Sequence, residues 1–88
     1  MQNKQKIFYL DDLKTIDFIE EFDKCENLVK EMHYRKDGKT IFYISEYDKN
    51  ENLLKETHYQ DDGKTIDYIH ECEYNQNGTT KETHYQER

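Results

Sequence analysis

Three histidines, His33, His58 and His84, recur at nearly regular intervals in the 88-residue chain. Strand pairing inferred from the sequence puts them in one row with Asp17 and Asp67 between them, so metal binding is the first chemistry to weigh. Histidines two strands apart are about 9.6 Å apart at roughly 4.8 Å per strand. That is too far for one ion held at about 2 Å from each ligand. Exposed His–Asp pairs across strands are the expectation, and a small-ligand or metal-binding module built on this row is the alternative. Gly38-Lys39-Thr40 and Gly63-Lys64-Thr65 look like the end of a phosphate-binding loop. The glycine that such a loop needs five positions earlier is His33 or His58, so no cradle is expected. Adjacent carboxylates such as Glu20-Glu21 and Asp61-Asp62 point to opposite faces of a strand and form no acid/base pair. With no nucleophile elbow and no Cys/His constellation, the chain is not expected to be an enzyme or to need a cofactor.

The residues that would position such groups are set by a repeat. Asp12-Leu-Lys-Thr-Ile-Asp-Phe-Ile, Asp37-Gly-Lys-Thr-Ile-Phe-Tyr-Ile and Asp62-Gly-Lys-Thr-Ile-Asp-Tyr-Ile start 25 residues apart. Each is followed by a second half ending at Tyr34, Tyr59 or Tyr85, and the last interval is one residue longer, with the extra residue expected around Cys72-Glu73. Ile7-Phe8-Tyr9 supplies a leading half-copy. The whole chain, 1-88, therefore reads as a single repeat domain: half-repeat 5-11, then repeats 12-36, 37-61 and 62-86.

Each unit reads as a β-hairpin. Thr-Ile-x-Tyr-Ile is β-branched and aromatic, Asp-Gly and Asn77-Gly78 signal tight turns, and the chain has no proline. The expected fold is all-β: an antiparallel meander of about seven strands, a single-layer or curled sheet with no helix. Type I′ turns at Asp-Gly would place Tyr9, Tyr34 and Tyr59 on one face. Phe18, Tyr43 and Tyr68 would share it in a row with Ile7 and Met32, and Tyr47 in a third row. The His row and a row of Lys6, Ile19 and Glu31 would take the opposite face. Leu13 stands where the later copies have glycine, so the first turn is expected to differ in type. Cys25 and Cys72 would lie several strands apart, too far for a disulfide.

Composition bounds the function. Leu, Ile, Val and Phe make up only 17 of 88 residues, and 20 acidic residues outweigh 13 Lys and Arg, for a net charge of -7. Taken alone this would suggest disorder, but the repeat and eight tyrosines argue for a thin sheet instead. The acidic balance is unlike a nucleic-acid binder, and no apolar run approaches the roughly 20 residues of a membrane span. No signal peptide is read at the N-terminus, and localisation stays open between cytoplasm and secretion.

The grammar Asp-Gly-Lys-Thr-Ile-x-Tyr-Ile-x-Glu-Tyr-Asp followed by Leu-x-Lys-Glu-Thr-x-Tyr-Gln resembles the tandem repeats of a family of unknown function abundant in phytoplasmas. It is similar, more distantly, to YD-type and variant MORN repeats. The likeness covers Asp12 to Tyr85 and is best over Asp37 to Gln60. It implies a bacterial, host-directed or mobile-element-encoded protein and carries no catalytic residues. A sheet with one apolar face must bury that face against something. The expected function is a protein-protein interaction module, self-associating through the apolar face or the first edge strand. Tyr9, Phe18, Tyr34, Tyr43, Tyr47, Tyr59 and Tyr68 are the candidate contact residues.

Overall fold

The computed structural model describes residues 3–74 and 80–86, with side chains in the last strand described only for Thr83. Asn77-Gly78 and the side chain of His84 lie outside the described residues. Seven strands form one sheet in chain order: β1 (Lys4–Tyr9), β2 (Ile16–Phe22), β3 (Leu28–Tyr34), β4 (Ile41–Tyr47), β5 (Leu53–Tyr59), β6 (Ile66–Tyr74) and β7 (Thr80–Gln86). Every neighbouring pair is antiparallel, so the expected all-β meander is what the chain adopts. No second layer covers either face among the described residues, and the sheet does not close.

The turns differ from the expected type. Gly38 N donates to Arg35 O (2.9 Å) and Arg35 N to Thr40 O (2.8 Å), so Asp37-Gly38 fill the third and fourth positions of the turn rather than its centre. Only the glycine has positive φ, at 71°. The aspartate organises the rest: Asp37 Oδ1 accepts from Lys39 N and Thr40 N (both 2.8 Å), and Oδ2 accepts from the Thr40 hydroxyl. Asp12 and Asp62 repeat this geometry. The first turn therefore does not differ in type. Leu13 takes φ 60° and makes the same hydrogen bond to Leu10 O, at 2.9 Å.

That change of turn moves the register. Tyr9↔Ile16, Tyr34↔Ile41 and Tyr59↔Ile66 pair next to the turns as expected. One step further in, each strand pair from β1–β2 to β5–β6 carries a bulge. Asp17, Phe42 and Asp67 have no opposite residue there, and neither do Val29 and Leu54 at the other end. One extra residue per strand shifts every interior pairing. Phe18 pairs with Phe8 and His33, not with Ile7 and Met32, and Tyr43 pairs with His33 and His58. In the last hairpin the ladder instead runs unbroken from Tyr68↔Gln86 to Tyr74↔Thr80. That sets Tyr85 opposite Ile69, two places from the position its counterpart Tyr59 would suggest.

Side chains alternate between faces along each strand. One face thus carries a ring row (Phe8, Phe18, His33, Tyr43, His58, Tyr68) beside a polar row (Lys6, Glu20, Glu31, Ser45, Glu56, His70). The other carries the aliphatic row Ile7, Ile19, Met32, Ile44, Thr57, Ile69. Burial peaks in mid-sheet, where neighbours flank both sides: Ile19, Ser45, Thr57, Ile69 and Cys72 are buried, Ser45 most completely. Cys25 is exposed and Cys72 buried.

Candidate interaction surface

The ring row is built by strand spacing. Phe8 stacks on Phe18 at 4.4 Å between centroids, Phe18 on His33 at 5.0 Å, and His33 on Tyr43 at 4.3 Å. Tyr43 stacks on His58 at 4.9 Å and His58 on Tyr68 at 4.3 Å. Interplanar angles of 11° to 19° across these five contacts mean that the rings stand upright, side by side. Inside the row the flat faces of Phe18, His33, Tyr43 and His58 are occupied on both sides by neighbouring rings, so only their edges point to solvent. Such a row is no platform for stacking a sugar or a base, and its rings stabilise the sheet as cross-strand pairs.

The carboxylates beside it are tied into the same face. Glu31 Oε1 lies 3.2 Å from His33 Nε2 and accepts from the Tyr47 hydroxyl at 3.2 Å. Glu56 Oε1 lies 2.6 Å from His58 Nε2, and Glu56 Oε2 accepts from Ser45 Oγ at 3.2 Å. Burial first, then the neighbouring Glu31 charge, pushes the Tyr47 phenol up to about 12. Tyr43 is raised by burial and by Glu56 and Glu31. Glu20 sits directly opposite Glu31, and its carboxyl is raised by burial and then by the hydrogen bond and charge of that partner.

The expected His–Asp row does not form. Asp17 and Asp67 are bulge residues, and His33 and His58 take glutamates of their own strands instead. Among the described residues no group of three or more His, Cys, Asp or Glu side chains could hold a metal ion. The seven aromatic candidates do not share one face. Phe18, Tyr43, Tyr47 and Tyr68 lie on the ring face, whereas Tyr9, Tyr34 and Tyr59 lie on the aliphatic face close to the turns. The cause is again the bulge, which reverses the pairing parity between the turn-proximal tyrosines and the strand centres.

A feature absent from the sequence reading centres on Arg35. Its guanidinium donates to Tyr59 O at 2.9 Å, lies 3.7 Å from Asp61 and sits 4.6 Å above the Phe42 ring. It borders an open hollow of about 450 Å³ lined also by Tyr59, Asp62 and Asp67. The one available signal is an arginine found only in the first full repeat, at the position of Leu10 in the half-repeat and Gln60 in the second.

The model of a family described as protein of unknown function (DUF2963) matches residues 8–57 and again 34–85. The chain belongs to the DUF2963 family. The two overlapping matches express the tandem repeat, offset by about one unit. No curated protein matches the chain. Among solved structures, a chain of the GtfA/B complex bound to UDP and GlcNAc is similar to this DUF2963 protein. The TM-score is 0.62 with 16% identity, covering 91% of this chain and 19% of that one. At that identity the likeness is one of fold alone. No helix among the described residues is long and apolar enough to cross a membrane.

Proposed function

We propose that this DUF2963 protein is a non-enzymatic protein-interaction module. The observation that carries it is a sheet with no second layer among the described residues, whose aliphatic row is buried at Ile19, Thr57 and Ile69 but leaves Ile7 42% exposed at its open end, with Tyr9 beside it at 48%. Apolar rows of this length on monomers ordinarily mark a surface meant to be covered. The ring face supports the same reading, because its rings and carboxylates are spent on one another rather than converging on a pocket. The resemblance to phytoplasma repeat proteins makes a host protein the setting in which to seek the partner, and a second copy of the chain is the other cover.

The test combines light scattering with cross-linked capture of proteins from host extract. Wild type is compared with Tyr34→Ser/Tyr59→Ser on the aliphatic face and Tyr43→Ser/Tyr68→Ser on the ring face. Self-association or a defined captured protein, lost in one of the two variants, supports the module. A monomer at every concentration that captures nothing overturns it.

A further inference from the structure

β1 is an outer strand whose inner side pairs with β2. Its chemistry differs from the rest of the molecule. Lys4–Tyr9 holds two lysines and no acid in a chain of net charge -7. Ile7 and Tyr9 are exposed there, and Leu13 in the adjoining turn is 79% exposed. At the Lys4 end of the strand a hollow of about 250 Å³ lies between β1 and its inner neighbour, lined by Lys4, Gln5, Lys6, Phe22 and Glu26.

The rows also stop at this edge without ending chemically. Among the described residues Phe8 stacks on Phe18 with one ring face, and its outer face is open to another ring. Ile7 opens the aliphatic row, and Lys6, opposite Glu20, opens the polar row. An incoming antiparallel strand would therefore be matched by a ring, an aliphatic residue and a carboxylate at three successive positions. Phe18-Ile19-Glu20 of β2 shows that order on the inner side.

Leu13 limits what can be added. In the later turns the glycine is needed because a Cβ on Gly38 would lie 2.6 Å from the Thr15 methyl, and one on Gly63 2.7 Å from the Thr40 methyl. A further repeat hairpin stacked on the first turn would bring its own threonine against Leu13 in the same way. A lone strand, with no such turn, meets no obstacle.

We propose that the β1 edge binds an acidic, extended segment of a partner protein by strand addition, with a ring opposite Phe8, an aliphatic residue opposite Ile7 and a carboxylate opposite Lys6. This rests on the interaction-module reading and locates its site. The acidic character follows from Lys4 and Lys6, whose carboxylate neighbours on the inner side are Glu26, 4.0 Å from Lys4 with both side chains exposed, and Glu20 opposite Lys6.

The probe is a labelled peptide of residues 15–23 (Thr-Ile-Asp-Phe-Ile-Glu-Glu-Phe-Asp), with a scrambled peptide of equal composition as control. Expected are saturable binding by fluorescence polarisation and protection of amides within β1 in hydrogen exchange. Binding should weaken roughly tenfold in Lys4→Gln/Lys6→Gln, and fall with added salt on the wild type. Equal binding of the scrambled peptide, absence of β1 protection, or indifference to both lysine substitution and salt overturns the proposal. So does a wild-type dimer that these substitutions dissociate, because the occupant would then be a second copy. If the peptide fails while host-protein capture succeeds, the site is wrong and the module stands. If capture also fails, the module itself is wrong.

Discussion

The two ends of the sheet solve the same problem differently. At the Asp-Gly end, successive turns stack so closely that a glycine in one abuts the threonine methyl of the turn before it. At the other end the left-handed position is held by Glu26 and Glu51, at φ 66° and 65°. There the side chain has room to be used: Glu51 Oε2 accepts from the N–H of Leu28, which opens β3 just after the preceding turn, at 3.2 Å. Glycine is thus dictated by proximity rather than by φ alone. Leu13 proves the point, since it holds the same φ in the one turn of its kind with no described turn before it.

The most disruptive way to test the contrast is to exchange the residues. Gly38→Leu or Gly63→Leu combines the left-handed penalty of roughly 1–2 kcal/mol with overpacking of about 1–3 kcal/mol. A loss of about 2–5 kcal/mol is therefore expected in denaturant melts. The reverse change, Leu13→Gly, should stabilise by up to about 1 kcal/mol. Equal effects at positions 13, 38 and 63 would mean that turn stacking does not matter.

This contrast also explains what could be read from the sequence. The period, the strands near Ile16, Ile41 and Ile66, and the pairs flanking each turn were legible because β-branched and aromatic residues alternate there. The interior register was not, because Asp-Gly signals a turn centred on those two residues, whereas here they sit one place later, and one displaced residue inverts every later pairing. The signal lay in the copy without glycine. Asp12 and Thr15 persist where Gly does not, so the aspartate–threonine pair defines the turn. Asp23 with Asn27, and Asp48 with Asn52, mark the opposite end in the same manner. The ring row was missed for the same reason, since Tyr43 meets His33 and His58 only once the bulges are counted. The Arg35 contacts depend on a single substituted position, which periodicity cannot reveal.

Acid should separate the ends next. Hydrogen bonds from Thr40 and Lys39 hold the Asp37 carboxyl down to about 2 from its ordinary 3.8, and Thr65 and Lys64 do the same for Asp62. Asp23 and Asp48 are lowered chiefly by the amides of Asn27 and Asn52, without a threonine hydroxyl. A depressed carboxyl contributes stability above its unfolded value and loses it as pH falls through the folded one. Stability should therefore drop between pH 3.8 and about 2. Carboxyl titration followed by NMR should show Asp23 and Asp48 protonating before Asp37 and Asp62. Asp37→Asn/Asp62→Asn should flatten the lower part of that fall, and an unchanged profile would remove the assigned cause.

The smallest effect isolates the cap. Glu51→Gly relieves a left-handed side chain, worth roughly 1 kcal/mol, but removes a charge-assisted hydrogen bond to Leu28 N of about the same size. The two should cancel to within about 0.5 kcal/mol. Glu26 has the same φ, yet its recorded contact is a 4.0 Å pairing with Lys4 in which both side chains are more than two-thirds exposed. Such a pair contributes little, so Glu26→Gly should stabilise by about 0.5–1 kcal/mol. Chemical denaturation of both variants in parallel reads the difference directly. If Glu51→Gly gains as much as Glu26→Gly, the cap on Leu28 contributes nothing, and the open end of the sheet is held by its ladder alone.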